Sequence, residues 1–188
     1  LAPVLAAYAQ PQSLDQVVND LLTFSTVVSP PLKTYWGLNG NTPDPTLVDP
    51  QVPFGSTWVD TPRYGANDQE LTELTSARIQ NYMWWRTGLM AEQERDLREK
   101  LVLFWTNHMP TQVFQVFNPR LSYEYDLLLR TQCLGNFRQL MYDMSVNGAM
   151  LIFLNGNQNT VVAPDENYAR ELMELFTLGE GSGYTEQD

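Results

Sequence analysis

Three side chains of this sequence have the types and spacing to hold a divalent metal: His108, Glu171 and Glu174. A histidine on one helix facing two carboxylates at i, i+3 on another supplies three ligands to zinc, manganese or iron, and leaves positions open for water. In a metal-dependent hydrolase built this way Glu171 is the catalytic general base and the other two remain ligands. The same residues also have a purely structural reading. His108 falls on the apolar stripe of its own helix, where a neutral imidazole commonly bonds a buried carbonyl or carboxylate. Glu171 borders an apolar face, so the set can equally form a polar clasp between helices, which needs no cofactor.

Other chemistries find less support. The chain has one histidine, one cysteine and no Gly-x-Ser-x-Gly elbow, so nucleophilic catalysis lacks its parts. Cys133 sits in the apolar run LLLRTQCLGNF, the setting of a buried, unreactive thiol. The glycines of GEGSGY are not followed by Lys-Ser/Thr, so the stretch reads as a flexible turn and not as a phosphate loop. LNGNTPD and LNGNQNT offer Asn and Asp oxygens to calcium but lack the closing glutamate of an EF-hand loop, and read as Asx turns. The aromatics of NYMWW and YEYD, with Trp36 and Trp58, suit either a platform for sugar rings or core packing.

The elements that would position these residues are helical. Ser13 and Gln16 have capping-box spacing and predict a helix from about Leu14 to Thr23. Residues 24–66 then change character, with seven of the twelve prolines and the turn signals Asn-Gly and Asp-Pro. Trp36, Phe54 and Trp58 in this stretch argue for an ordered loop packed on helices. From Asn67 the period is helical: Leu71, Leu74, Ile79, Tyr82, Met83 and Leu89 form one stripe, and Leu97, Leu101, Phe104, Trp105 and His108 a second. Gly88 marks the expected break between them, and the charged start AEQERDLREK reads as a solvated face. A third helix is expected from about Ser122, split at Gly135 with Asn136 capping the next piece, which Asn147-Gly148 ends. AMLIFLNG is a short apolar run that periodicity leaves between a buried helix turn and a strand, and its helical surroundings favour helix. Asp165 then caps an amphipathic helix with Tyr168, Ala169, Leu172, Met173, Leu175 and Phe176 on its apolar side and Gly179 at its C-terminus. Arg170 and Glu174 are spaced to pair at i, i+4. The fold class is therefore mainly α, a multi-helix orthogonal bundle with one long Pro-rich ordered loop. Thr185 and Asp188 have the spacing of another capping box, so a further helix is expected to begin here and the chain reads as a fragment of a longer polypeptide.

Charge limits the partners. Eleven Lys and Arg against 22 Asp and Glu give a formal net charge of −11, with no basic stripe for nucleic acid and no attraction to anionic lipid. No apolar run is long enough to span a bilayer, and LAPVLAAYAQ lacks the basic start of a signal peptide.

Several segments together resemble the bacterial domain of unknown function 1800 family: DPQVPFGSTWVD, LREKLVLFWTNHM, LGNFRQLMYDMSVNGAMLIFLNG and APDENYARELMELFTLGEGSGYTEQD. Pro164 to Gly179 carries the most specific part of the resemblance, and the segments look like those of members from Bacteroidetes-like bacteria. The resemblance implies a large, mainly helical, usually exported protein of the cell surface or envelope, of which this is the N-terminal part, joined to the remaining C-terminal part of its own polypeptide. Members often read Phe-Trp-His-Asn-His-Phe where this chain has FWTNHM, so Thr106 replaces a first histidine, and many have a histidine where Phe176 sits. Two readings follow. One is a non-catalytic interaction or assembly component with protein partners; the other is a metal-dependent hydrolase of an envelope polysaccharide or ester, using His108, Glu171 and Glu174.

Overall fold

The computed structural model describes residues 12–163 and 166–185. Helix α1 (Leu14–Leu22) begins with the expected capping box: Ser13 Oγ accepts from the Gln16 N–H, and the Gln16 side chain accepts from the Ser13 N–H. The Pro-rich segment follows, and it holds a small antiparallel hairpin of β1 (Gly37–Asn39) and β2 (Thr42–Asp44). Then come α2 (Asp68–Ala91), α3 (Arg98–His108), the single turn α4 (Val113–Val116), α5 (Pro119–Gln132), α6 (Phe137–Ser145) and α7 (Gly148–Phe153). A 3-10 turn at Gly156–Gln158 leads toward α8 (Asn167–Glu171), which passes directly into a π-helical turn at Leu172–Thr177. The fold is mainly helical. Among the described residues no helix is long and apolar enough to cross a membrane.

Two apolar clusters organise these elements. The larger joins α3, α5, α6 and α7 through Val102, Tyr125, Leu129, Leu140, Met144 and Met150, with Phe176 of the π turn sealing one side. The second packs the Pro-rich segment on α2 and α5 through Tyr35, Val52, Trp58, Val59, Tyr82 and Tyr123. Trp58 therefore meets the expectation that this segment docks on helices. Trp36 and Phe54 depart from it, at 51% and 54% exposed.

Several boundaries differ from those read in the sequence. α2 runs through Gly88 without interruption, because a single glycine costs a helix only about 1 kcal/mol and no Pro or cap accompanies it. α5 starts at Pro119 and not near Ser122: Asn118 caps the Leu121 N–H and Pro119 takes the first turn, where its missing N–H is harmless. Asn136 caps α6 as expected, but Asn147 caps the start of α7 where the sequence suggested only an ending. The expected cap Asp165 and Asp188, the expected capping-box partner of Thr185, lie outside the described residues.

The largest difference concerns polarity. The buried face of α2 carries Thr75, Arg78 and Asn81 beside its apolar residues, and Glu99, assigned to a solvated face, is 3% exposed. Both are explained by partners brought from elsewhere in the chain. Asn81 accepts from the Trp58 indole N–H at 2.7 Å and donates to Thr34. Glu99 receives a two-pronged contact from Arg130 of α5, at 2.5 and 2.9 Å.

Candidate functional site

His108 ends α3, and its ring stands among Phe104, Trp105 and Phe176. Its Nε2 lies 2.9 Å from the Phe176 carbonyl oxygen. A carbonyl only accepts, so Nε2 carries the hydrogen in this contact and is committed to the backbone. The carbonyl is accessible for a local reason. Leu172–Thr177 is wound as a π turn, with the Leu178 N–H reaching the Met173 carbonyl at 2.7 Å, and near the end of such a turn Phe176 has no later helical N–H to occupy its oxygen. The wider winding also shifts the face: Phe176 is buried, whereas Leu175 is 60% exposed, contrary to the straight-helix expectation, and Ala169, which precedes the π turn, is exposed as well. Gly179 follows with φ +87, the left-handed conformation expected of a C-terminal glycine.

The two candidate carboxylates have separate settings. Glu174 accepts a hydrogen bond from the Tyr184 hydroxyl, which raises the pKa of that phenol. Arg170 donates to Asn167 at 2.8 Å, so the i, i+4 pairing with Glu174 is replaced by a contact within the first turn. Glu171 is half-buried and makes no hydrogen bond or ion pair with a described residue. Among the described residues, no three His, Cys, Asp or Glu side chains are grouped so as to hold a metal ion. Glu174 and Tyr184 instead border a cavity of about 500 Å³ with Glu166, Arg170 and Met173. Cys133 is buried, and burial raises its thiol pKa, as its apolar setting suggested.

A second surface lies on the hairpin. The register pairs Leu38 with Pro43 and Gly37 with Asp44; since paired residues point to one face and alternate along a strand, Trp36, Leu38, Pro43 and Pro45 share a face. Trp36, Pro43 and Pro45 of this face line, with Phe54, an apolar groove of about 220 Å³. The Trp36 indole N–H has no partner among the described residues. Leu47 packs against the opposite side of the hairpin at Gly37, where a Cβ would come within 2.8 Å of the Leu47 Cβ, so only glycine fits.

Lys33 makes this surface rigid. Its buried ammonium donates to four backbone carbonyls: Pro45, Val48 and Asp49 at 2.7 Å each, and Val52 at 3.1 Å. Its own backbone pairs with Ser56 and Gly55, tying the Phe54 turn to the same point. Asp49 adopts φ 58, a conformation that Asp tolerates. Its carboxylate accepts from Tyr35 and binds the Arg78 guanidinium at 2.7 and 2.9 Å. Of the other aromatics considered as a sugar platform, Trp58, Tyr82, Tyr123 and Tyr125 are buried. Sequence reasoning missed the hairpin face, although the Asn-Gly turn and the alternation of Trp36, Leu38, Pro43 and Pro45 were signals of it.

No curated protein and no solved structure matches this chain. A family model matches residues 3–188, nearly all of the sequence. The chain therefore belongs to the family described as Protein of unknown function (DUF1800).

Proposed function

We propose that this chain is a non-catalytic interaction component of an exported, cell-surface or envelope protein, and that its hairpin face takes an extended, proline-rich, basic segment of a protein partner. The observation that carries this reading is the aromatic and proline groove at Trp36, Pro43, Pro45 and Phe54. Large aromatics turned outward on a rigid support lose little entropy on binding. Aromatic-lined grooves accept polyproline II ligands, whose carbonyls need a donor such as the unpartnered Trp36 N–H. All four lining residues are apolar, which suits such a segment better than a sugar. The net charge of −11 favours a basic partner. The envelope location is supported by the family resemblance of the sequence.

A fluorescein-labelled Arg- and Pro-rich decapeptide, titrated against the chain with an alanine-for-proline version as control, tests the reading. Binding in the micromolar range is expected, weakened at least about tenfold by Trp36→Ala and by the loss of the prolines. Equal binding of the two peptides, or an unchanged affinity in Trp36→Ala, would sink it. Fractionation of the cells that make the protein tests the location: finding it in the cytoplasm would contradict the exported assignment.

A further inference from the structure

A cleft of about 420 Å³ opens between α2, α3 and α5, away from both surfaces described above. Its apolar wall includes Met83 and Leu103, and its polar groups include Tyr82, Arg86, Asn107 and Thr111. Two of these point to a ligand independently. Tyr82 is only 4% exposed, yet its hydroxyl makes no hydrogen bond to a described residue. Burial raises the pKa of this phenol, so it stays a neutral donor.

Arg86 is the second. Its Nη2 donates to Thr106 at 2.8 Å, and its Nε lies 3.1 Å from Asp126 Oδ1. Neither Arg86 Nε nor Asp126 Oδ1 has an aligned hydrogen bond, so the contact between them is ionic. Nη1 and the second hydrogen of Nη2 have no partner among the described residues. The charges also leave a surplus. Arg86 and Arg130 share Asp126, while Arg130 and Arg98 share Glu99, so three guanidiniums meet two carboxylates. In a chain of net charge −11, this cluster carries one uncompensated positive charge, and Arg86 is its member that lines the cleft.

We infer that the cleft binds a small organic carboxylate, its two oxygens on the fork of Arg86 and the Tyr82 hydroxyl, and its apolar body on Met83 and Leu103. A planar fork with parallel N–H groups matches a carboxylate better than any other common anion of this size except phosphate. The volume is that of a small-molecule site between helices, and its lining combines an apolar wall with several polar side chains. This inference goes beyond the partner-binding reading and does not depend on it.

The test is ligand-observed NMR titration of the chain with phenylacetate, its neutral counterpart phenylacetamide, and phenyl phosphate. Saturable phenylacetate binding in the low-millimolar range is expected, at least about tenfold tighter than the amide. Tyr82→Phe should weaken it about fivefold, and Arg86→Lys, which keeps a charge beside Asp126, by a similar factor or more. Leu103 is 46% exposed at the rim, so Leu103→Trp blocks the mouth without touching the core and should abolish binding even if the other variants fold poorly. Equal binding of acid and amide, no saturation by about 20 mM, or undiminished binding in Leu103→Trp would overturn the inference. Binding of phenyl phosphate without phenylacetate would overturn the carboxylate assignment.

Discussion

Two buried ionic clusters hold this molecule together, and they balance their charges by different means. In the Pro-rich segment, Lys33 and Arg78 face a single carboxylate, Asp49. The surplus positive charge is absorbed by backbone carbonyls: four around the Lys33 ammonium, and those of Thr61 and Trp58 at Arg78. Among helices α2, α3 and α5, backbone carbonyls are already taken by helical N–H groups, so Arg130 is met by the carboxylates of Glu99 and Asp126. Arg86 and Arg98 share those two carboxylates with it, and of the three guanidiniums Arg86 stands at the wall of the cleft. Irregular backbone supplies free acceptors for a cation, whereas helices demand matched side chains. The loop cluster is thus a structural clasp, and the helical one can spare a charge for a ligand.

Breaking the helical cluster should have the largest effect. Arg130→Met leaves Glu99 and Asp126 buried without their shared guanidinium, a loss of about 5 kcal/mol in urea unfolding. The triple change Arg130→Met, Glu99→Leu and Asp126→Leu removes the charges together and should recover most of that loss. A triple variant no more stable than the single one would mean that packing, and not charge matching, fixes this region.

Lys33→Ala sharpens the other half of the comparison. It orphans four carbonyls and should cost about 3 kcal/mol. Because those acceptors form a cage, ammonium chloride at about 1 M should restore roughly 1 kcal/mol relative to tetramethylammonium chloride, which is too large to enter. No difference between the two salts would show that the loop collapses once the lysine is lost. Arg130→Met should show no such rescue.

Acid tests the charge matching of the helical cluster. Burial alone would raise the Glu99 pKa, but the guanidiniums of Arg130 and Arg98 outweigh it and hold the carboxyl below its ordinary range. A depressed folded-state pKa gives stability that is complete above the unfolded value of about 4.3 and is lost as pH falls through the folded one. The stability gap between the parent chain and Glu99→Gln, about 2 kcal/mol at pH 7, should therefore shrink below about pH 4. A gap constant with pH would contradict the ion-pair account.

The helices and most caps were legible because each is set by a few neighbouring residues, as with Ser13 and Gln16 or Asn136. The polar interior was not. Lys33, Asp49 and Arg78 meet across 16 and 29 positions of chain, and Glu99 and Arg130 across 31, so local charge pattern assigned Glu99 to solvent. The cleft residues suffered the same way: Tyr82 was read as core and Arg86 was not singled out. The π turn was illegible for another reason. A wheel drawn at 100° assumes i→i+4 bonding, and the i→i+5 bond at Met173 displaces every residue after it.

The smallest expected effect distinguishes a clasp from a metal centre at the residues that first suggested chemistry. His108→Ala removes the hydrogen bond to the Phe176 carbonyl and the ring contacts with Trp105 and Phe104. Its cost should be about 1 to 2 kcal/mol, and His108→Gln, whose amide can still donate to that carbonyl, should recover part of it. Glu171→Ala should change little, since Glu171 has no partner among the described residues. The clasp predicts that the metal content of purified protein is the same in parent, His108→Ala and Glu171→Ala. A metal centre predicts a stoichiometric ion that both substitutions abolish, together with a thermal transition lowered by chelator in the parent alone. With Nε2–H given to the carbonyl, only Nδ1 keeps a lone pair for a metal, and among the described residues His108, Glu171 and Glu174 are not grouped so as to hold an ion with it, which favours the first outcome.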